Sequence, residues 1–179
     1  MTTHRTPLDE QVDLYRRAGE RVMSLISGVS GDQWNSPALG PWTVRTLVGH
    51  IGRAFTTVTE FLAKPAANHD VHTAADYYLV ALRLTDSASI KASAEQAAHA
   101  LGEDPPAAIR KFRDAAVEAL MNAGDPLIST AAGGMRLPAD ICRSALTVAI
   151  EVAIGRGDGQ PVLLALTGRA SLFGGFSVV

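Results

Sequence analysis

The chain has 179 residues, of which 47% are hydrophobic and 19% are charged, and we expect residues 1–179 to form a single domain with one packed core. A formal net charge of -2 and a pI of about 6.2 argue against a nucleic-acid-binding protein, which needs a basic face to neutralise phosphates. No stretch approaches the roughly 20 uninterrupted apolar residues that cross a bilayer, so we expect a protein that binds no membrane. The N-terminus is polar and does not resemble a secretory signal, and the single cysteine, Cys142, excludes an internal disulfide. We therefore expect a cytoplasmic protein.

Two helices are predicted in the first third of the chain. Apolar residues at helical spacing predict a first helix from about Leu8 to Val29, which ends at a Ser-Gly pair. Thr43 is a good N-cap, because its hydroxyl can accept a hydrogen bond from an amide of the first turn. After it, apolar residues at intervals of three and four predict a second helix with one buried face: Val44, Leu47, Val48, Ile51, Phe55, Val58 and Leu62.

The middle and the end of the chain continue the helical pattern. "KPAANHDVHTA" is predicted to be a loop, after which Thr73 caps a short helix, "AADYYLVALRL". Further helices are predicted at residues 87–101 and from Pro105 to a stop at Gly124, and a β-hairpin is predicted around Gly133-Gly134. A last long helix is predicted at residues 138–154, followed by an apolar tail that packs back on the body. The pattern indicates an all-α protein, an antiparallel helix bundle with a small β-hairpin.

His50 is the first candidate for chemistry. At about 100° per residue it lies on the flank of the second helix, beside the apolar stripe, where a side chain can point into a cleft between helices. An imidazole there can ligate a metal ion together with groups from other helices. It can equally be a hydrogen-bonded histidine at a helix interface, and the sequence leaves both interpretations open.

The other candidates have weaker signals. Glu151 is the only charged residue between Arg143 and Arg156, so it must be paired, metal-bound or turned to solvent, and solvent or an ion pair is the commoner outcome. The side chains of His69, Asp70 and His72 could hold a metal in their loop. Arg169 could bind an anion or pair with a surface carboxylate. His4, His99 and Cys142 have the surroundings of ordinary surface or buried residues.

The segment around His50 also resembles a known family. "W…PALGPWTVRTLVGHIG" is similar to the signature of the mycothiol-dependent maleylpyruvate isomerase N-terminal domain family, within the DinB/YfiT-like superfamily. "TAADYY", "AGGMRL" and "LLALTGR…GFSVV" are similar to stretches in actinobacterial members, so the resemblance spans nearly the whole chain. Its most specific part runs from Trp34 to His50.

The resemblance implies a four-helix bundle that holds a divalent metal such as zinc. The family's ligands are the histidine of the second helix, here His50, and a Glu-x-x-x-His pair on the last bundle helix. In members that use a thiol, the metal lowers the pKa of a small thiol such as mycothiol. If Glu151 is the family glutamate, the residue four positions later is Gly155 instead of histidine. In another alignment the ligand-bearing segment is missing, and Glu151 is then unrelated to the metal.

Two functional hypotheses follow. The first is a metal-dependent, mycothiol-linked isomerase or thiol transferase, with a small-molecule thiol as substrate or cofactor, in which His50 is a ligand. The second is a degenerate, non-catalytic helix bundle that acts as a binding or interaction module, for which we expect a homodimer because a bundle lacking one helix exposes apolar surface. In both, Trp34 and Trp42 are predicted to clamp the turn that fixes where the second helix begins.

Overall fold

The computed structural model describes residues 8–84 and 86–137 of the chain. These residues are mostly helical. The predicted helix at 138–154 and the apolar tail lie outside them.

Five α-helices and two short antiparallel β-ribbons make up the described residues. The helices are α1 (Leu8–Ile26), α2 (Val44–Leu62), α3 (Ala74–Leu84), α4 (Ser87–Ala100) and α5 (Pro105–Ala123). The strands are β1 (Pro37–Leu39) and β2 (Trp42–Thr43), which pair with each other, and β3 (Leu127–Thr130) and β4 (Gly133–Arg136), which form the second ribbon. A 3₁₀ turn at Gln33–Asn35 precedes β1. No helix among the described residues is long and apolar enough to span a membrane.

The predicted elements agree closely with these bounds. The structure confirms α2, α3 and the hairpin, and α4 ends one residue earlier than predicted. The predicted end of α1 at Val29 is wrong: the helix ends at Ile26, because Gly28 N donates to Leu25 O and Val29 N donates to Ile26 O. Such bonds to the third preceding residue tighten the chain into turns.

The core lies where α1, α2 and α5 meet. The ring of Tyr15 packs edge-on against that of Phe55, with centroids 5.9 Å apart, and its hydroxyl donates to Ala54 O at 2.9 Å. Ile109 and Leu120 of α5 are buried in the same cluster. Burying side chains of this size stabilises the fold by about 1.5–3 kcal/mol each. α2 also packs against α4, so it has helices on two sides.

The loop between α2 and α3 packs against the hairpin. Pro65 forms an antiparallel bridge with Ile128, and Val71 forms a parallel bridge with Met135. Gly133 lies in the hairpin turn with φ of 122°, a conformation that side chains disfavour, and its backbone faces Asp70 closely. The loop therefore flanks both strands of the hairpin.

Candidate functional site

A short ribbon leads the chain into α2. Trp42 pairs with Leu39 and Thr43 pairs with Pro37, and Val44 N donates to Ser36 O at 3.0 Å. The sequence did not predict this ribbon, because its strands have only two and three residues and contain proline. It fixes the direction in which the chain enters the helix.

Thr43 caps α2 as predicted. Its backbone is extended (φ -80°, ψ 167°), and its Oγ1 accepts a hydrogen bond from Thr46 N at 3.2 Å. A capping side chain of this kind defines the first turn of a helix. The start of α2 is thus fixed by both the ribbon and the cap, about two turns before His50.

Both tryptophans pack where the sequence predicted. Trp42 is 8% exposed, and Trp34 is half-buried against the hydrophobic core. The indole of Trp42 lies beside the imidazole of His50, with ring centroids 4.9 Å apart and planes inclined by 59°. Trp42 therefore supports one side of the His50 ring.

His50 is half-buried, and its Nδ1 atom is shielded from solvent. The apolar stripe predicted one buried face of α2, but the flank that carries His50 is buried as well. Ala54, Thr57 and Phe61 on that flank are all buried. Next to His50, Gly49 brings α2 close to the backbone of α4. The imidazole thus lies against Trp42 of the entry ribbon, and its backbone follows directly on the close approach of α2 to α4.

The described residues do not complete a metal site around His50. Within residues 8–84 and 86–137, no three side chains of His, Cys, Asp or Glu are placed to hold one ion. His69, Asp70, His72 and His99 therefore do not complete a three-ligand site with it. Two surface grooves, one along α5 and one between α1 and α5, are not lined by His50. Glu151, Gly155, Arg169 and Cys142 lie outside the described residues.

Shifted pKa values in the described part of the chain belong to exposed groups such as Asp13 and Asp86. A hydrogen bond from the guanidinium of Arg16 lowers the pKa of Asp13. A hydrogen bond from the backbone amide of Ser89 lowers the pKa of Asp86, the N-cap of α4. Asp13 makes its hydrogen bond within α1 and Asp86 makes its own at the start of α4, so these pKa shifts come from helix-stabilising contacts and do not point to a catalytic cluster.

The structure adds two side-chain contacts to those described around His50. Arg45, five residues before His50, reaches across to α4 and donates hydrogen bonds to Ala98 O and Gly102 O. The rings of His69 and His72 lie in contact, with centroids 4.2 Å apart. The contact of Arg45 joins residues far apart in the chain, which local patterns cannot place together, whereas the sequence had already grouped His69 and His72 in one loop.

One comparison with known proteins gives a match. The family model described as the mycothiol maleylpyruvate isomerase N-terminal domain matches residues 15–154. No curated protein and no solved structure shows significant similarity to the chain.

Proposed function

The chain belongs to the mycothiol maleylpyruvate isomerase N-terminal domain family, and from this premise we propose that it is a metal-dependent, mycothiol-linked isomerase or thiol transferase. In this proposal His50 supplies one metal ligand and a small-molecule thiol is the substrate or co-substrate. We also propose that the whole chain, residues 1–179, forms one domain with the DinB/YfiT-like antiparallel four-helix bundle fold. In this proposal the protein is cytoplasmic.

The observation that supports the proposal is the position of His50. Its ring is half-buried, contacts Trp42 and follows a helix start that the Thr43 cap defines. A ligand held this rigidly loses little conformational freedom when it binds an ion.

The chemistry expected of the site is activation of a thiol. A bound divalent ion such as zinc would lower the pKa of the thiol, so that the thiolate nucleophile forms near neutral pH. Among the described residues only His50 is assigned as a ligand, and one imidazole does not fit a complete metal site. Glu151 is the second proposed ligand, and Arg169 is a proposed contact for an anionic group of the thiol.

The metal content of the purified, untagged protein tests this proposal. Wild type is expected to hold about one equivalent of a divalent metal. His50→Ala and His50→Gln are expected to hold none, and Glu151→Gln is expected to hold less metal than wild type. His99→Ala is the matched control, because His99 is an exposed histidine at the end of α4. Circular dichroism establishes that each variant is folded. Equal metal content in wild type and both folded His50 variants, including no metal in any of them, would overturn the proposal.

A second candidate is a non-catalytic binding or interaction module. It is favoured by Gly155, which stands where the resemblance implies a histidine if Glu151 is the family glutamate, and by the lack of a three-ligand group in the described residues. In this case we propose a homodimer in which each chain covers apolar surface of the other. Sedimentation at micromolar concentration tests it: a metal-free dimer supports this function, and a monodisperse monomer contradicts it.

A further inference from the structure

The loop between α2 and α3 brings two histidines together on the surface. The rings of His69 and His72 are 4.2 Å apart at their centroids and inclined by 68°, and both side chains are exposed. For comparison, two imidazoles that bind one ion at metal–nitrogen distances of about 2.1 Å have centroids about 4.5–5.2 Å apart. The observed distance of 4.2 Å is slightly shorter than this range, so a small rotation of one exposed ring away from the other gives the spacing that a shared ion requires.

Backbone hydrogen bonds hold this loop on the hairpin. Asp70 N and Val71 N both donate to Gly134 O at 2.9 Å, and Gly134 N donates to the Oδ2 atom of Asp70, also at 2.9 Å. Val71 is 1% exposed and forms a parallel bridge with Met135. The two residues between the histidines are thus fixed to β4.

The other end of the loop is fixed by the start of α3. Thr73 N donates to Asp76 Oδ2 at 3.0 Å, and Asp76 N donates to Thr73 Oγ1 at 3.1 Å. This reciprocal pair is a capping box with aspartate in place of glutamate. His72 therefore lies between two anchored points, and binding an ion would order little additional chain.

We propose that His69 and His72 form a bidentate site for a divalent transition-metal ion, separate from His50. Neutral imidazole is a good ligand for zinc, nickel and copper. Two protein ligands leave the remaining coordination positions to water or to a ligand from solution. The site is accordingly open and exchangeable, unlike a structural zinc site with four protein ligands.

Zinc titration of the full, untagged chain tests the proposal. Isothermal titration calorimetry is expected to show an exchangeable Zn²⁺ site that weakens roughly tenfold or more in His69→Ala and in His72→Ala, because each variant loses the advantage of a second linked ligand. His99→Ala and His50→Ala are the matched controls and are expected to keep this site. Its loss in His50→Ala would show that the histidine pair is not a separate site.

A second measurement assigns the ligands directly. In imidazole ¹⁵N spectra, the ring nitrogens of His69 and His72 are expected to shift together at the same Zn²⁺ concentration, while those of His99 do not. Gly134→Ala tests the role of the loop, since a Cβ there would overlap Asn68 O, and the folded variant should bind Zn²⁺ more weakly. Unchanged Zn²⁺ affinity in both single histidine variants, or shifts of only one of the two rings, would overturn the proposal.

Discussion

Gly49 of α2 lies directly against the backbone of Ala98 in α4. A Cβ atom on Gly49 would be 2.5 Å from Ala98 N and 2.7 Å from its Cα. Real Cβ atoms do not approach other atoms so closely, and a helix backbone cannot yield as the tip of a side chain can. The crossing of α2 and α4 therefore depends on glycine at this position. Because His50 follows immediately, the same crossing fixes the backbone from which the imidazole extends.

Gly49→Ala is expected to lower the free energy of unfolding. Overpacking a tight contact costs about 1–3 kcal/mol, while alanine in place of glycine in a helix returns up to about 1 kcal/mol. The net effect should be destabilising, and urea denaturation measures it.

Gly52→Ala is the matched control for this prediction. A Cβ on Gly52 would be 2.8 Å from Cδ1 of Ile109, which is the end of a flexible side chain. The tip of a side chain yields more easily than a helix backbone, even in the core, so this variant should lose less stability than Gly49→Ala. If Gly49→Ala is at least as stable as Gly52→Ala, the result contradicts the close contact between Gly49 and the backbone of Ala98.

Trp42 should matter more for stability than Trp34. Trp42 is buried and contacts His50, whereas Trp34 is half-buried. Truncating a buried tryptophan to alanine typically costs about 3–5 kcal/mol, so Trp42→Ala is expected to unfold at much lower urea concentration than Trp34→Ala. Trp42→Phe, which keeps an aromatic ring, should lie between Trp42→Ala and wild type. Equal midpoints for Trp34→Ala and Trp42→Ala would contradict the supporting role of Trp42.

The sequence predicted α2 correctly because the signals that define it are local. The Thr43 cap and the apolar stripe lie within the helix itself and its first turn, so no distant contact has to be known. The end of α1 was less accurate: the apolar spacing continues to Val29, but the chain turns after Ile26. A periodic pattern does not show where the last regular hydrogen bond of a helix is formed.

The surroundings of His50 could be predicted only in part. Its position on the flank of α2 followed from helical geometry, and its partial burial agrees with that prediction. The contact between Gly49 and Ala98 joins residues far apart in the chain, and no local pattern reports it. The same applies to Asp70 and Gly134, which turn a segment that resembles an ordinary loop into an anchored one.

Arg45 should stabilise the end of α4. Its Nη1 atom donates to Ala98 O at 3.2 Å and to Gly102 O at 2.9 Å, and its Nη2 atom donates to Gly102 O at 2.9 Å. These carbonyls are at the C-terminal end of the helix, where orphan acceptors and the helix dipole favour a cation. Arg45→Ala is expected to lower the free energy of unfolding by about 1 kcal/mol, since the bonds are partly exposed.

Arg45→Lys separates geometry from charge in the same test. Lysine keeps the positive charge but lacks the fork of donors with which arginine contacts two carbonyls at once. It should recover only part of the loss seen for Arg45→Ala. Full recovery in urea denaturation would show that charge alone stabilises the end of α4, and wild-type stability of Arg45→Ala would show that the bonds contribute nothing.

Asp86 should make the stability of α4 depend on pH at the acid end. Its Oδ1 atom accepts a hydrogen bond from Ser89 N at 2.7 Å, and this bond lowers its pKa below the ordinary value of 3.8. A carboxyl group whose pKa is lower in the folded state binds protons more readily when unfolded. Its contribution to stability is therefore complete above the unfolded pKa and is lost as the pH falls through the folded pKa.

Asp86→Asn isolates this contribution, because asparagine also accepts the capping bond but does not titrate. The difference in unfolding free energy between wild type and Asp86→Asn should be constant above about pH 5 and should change in favour of Asp86→Asn as the pH falls below about 4. Asp86→Ala removes the acceptor as well and should be less stable than Asp86→Asn at every pH. Urea denaturation followed by circular dichroism from pH 2.5 to 7 measures all three proteins. Parallel curves for wild type and Asp86→Asn through the acid range would show that the bond from Ser89 does not favour the ionised carboxylate.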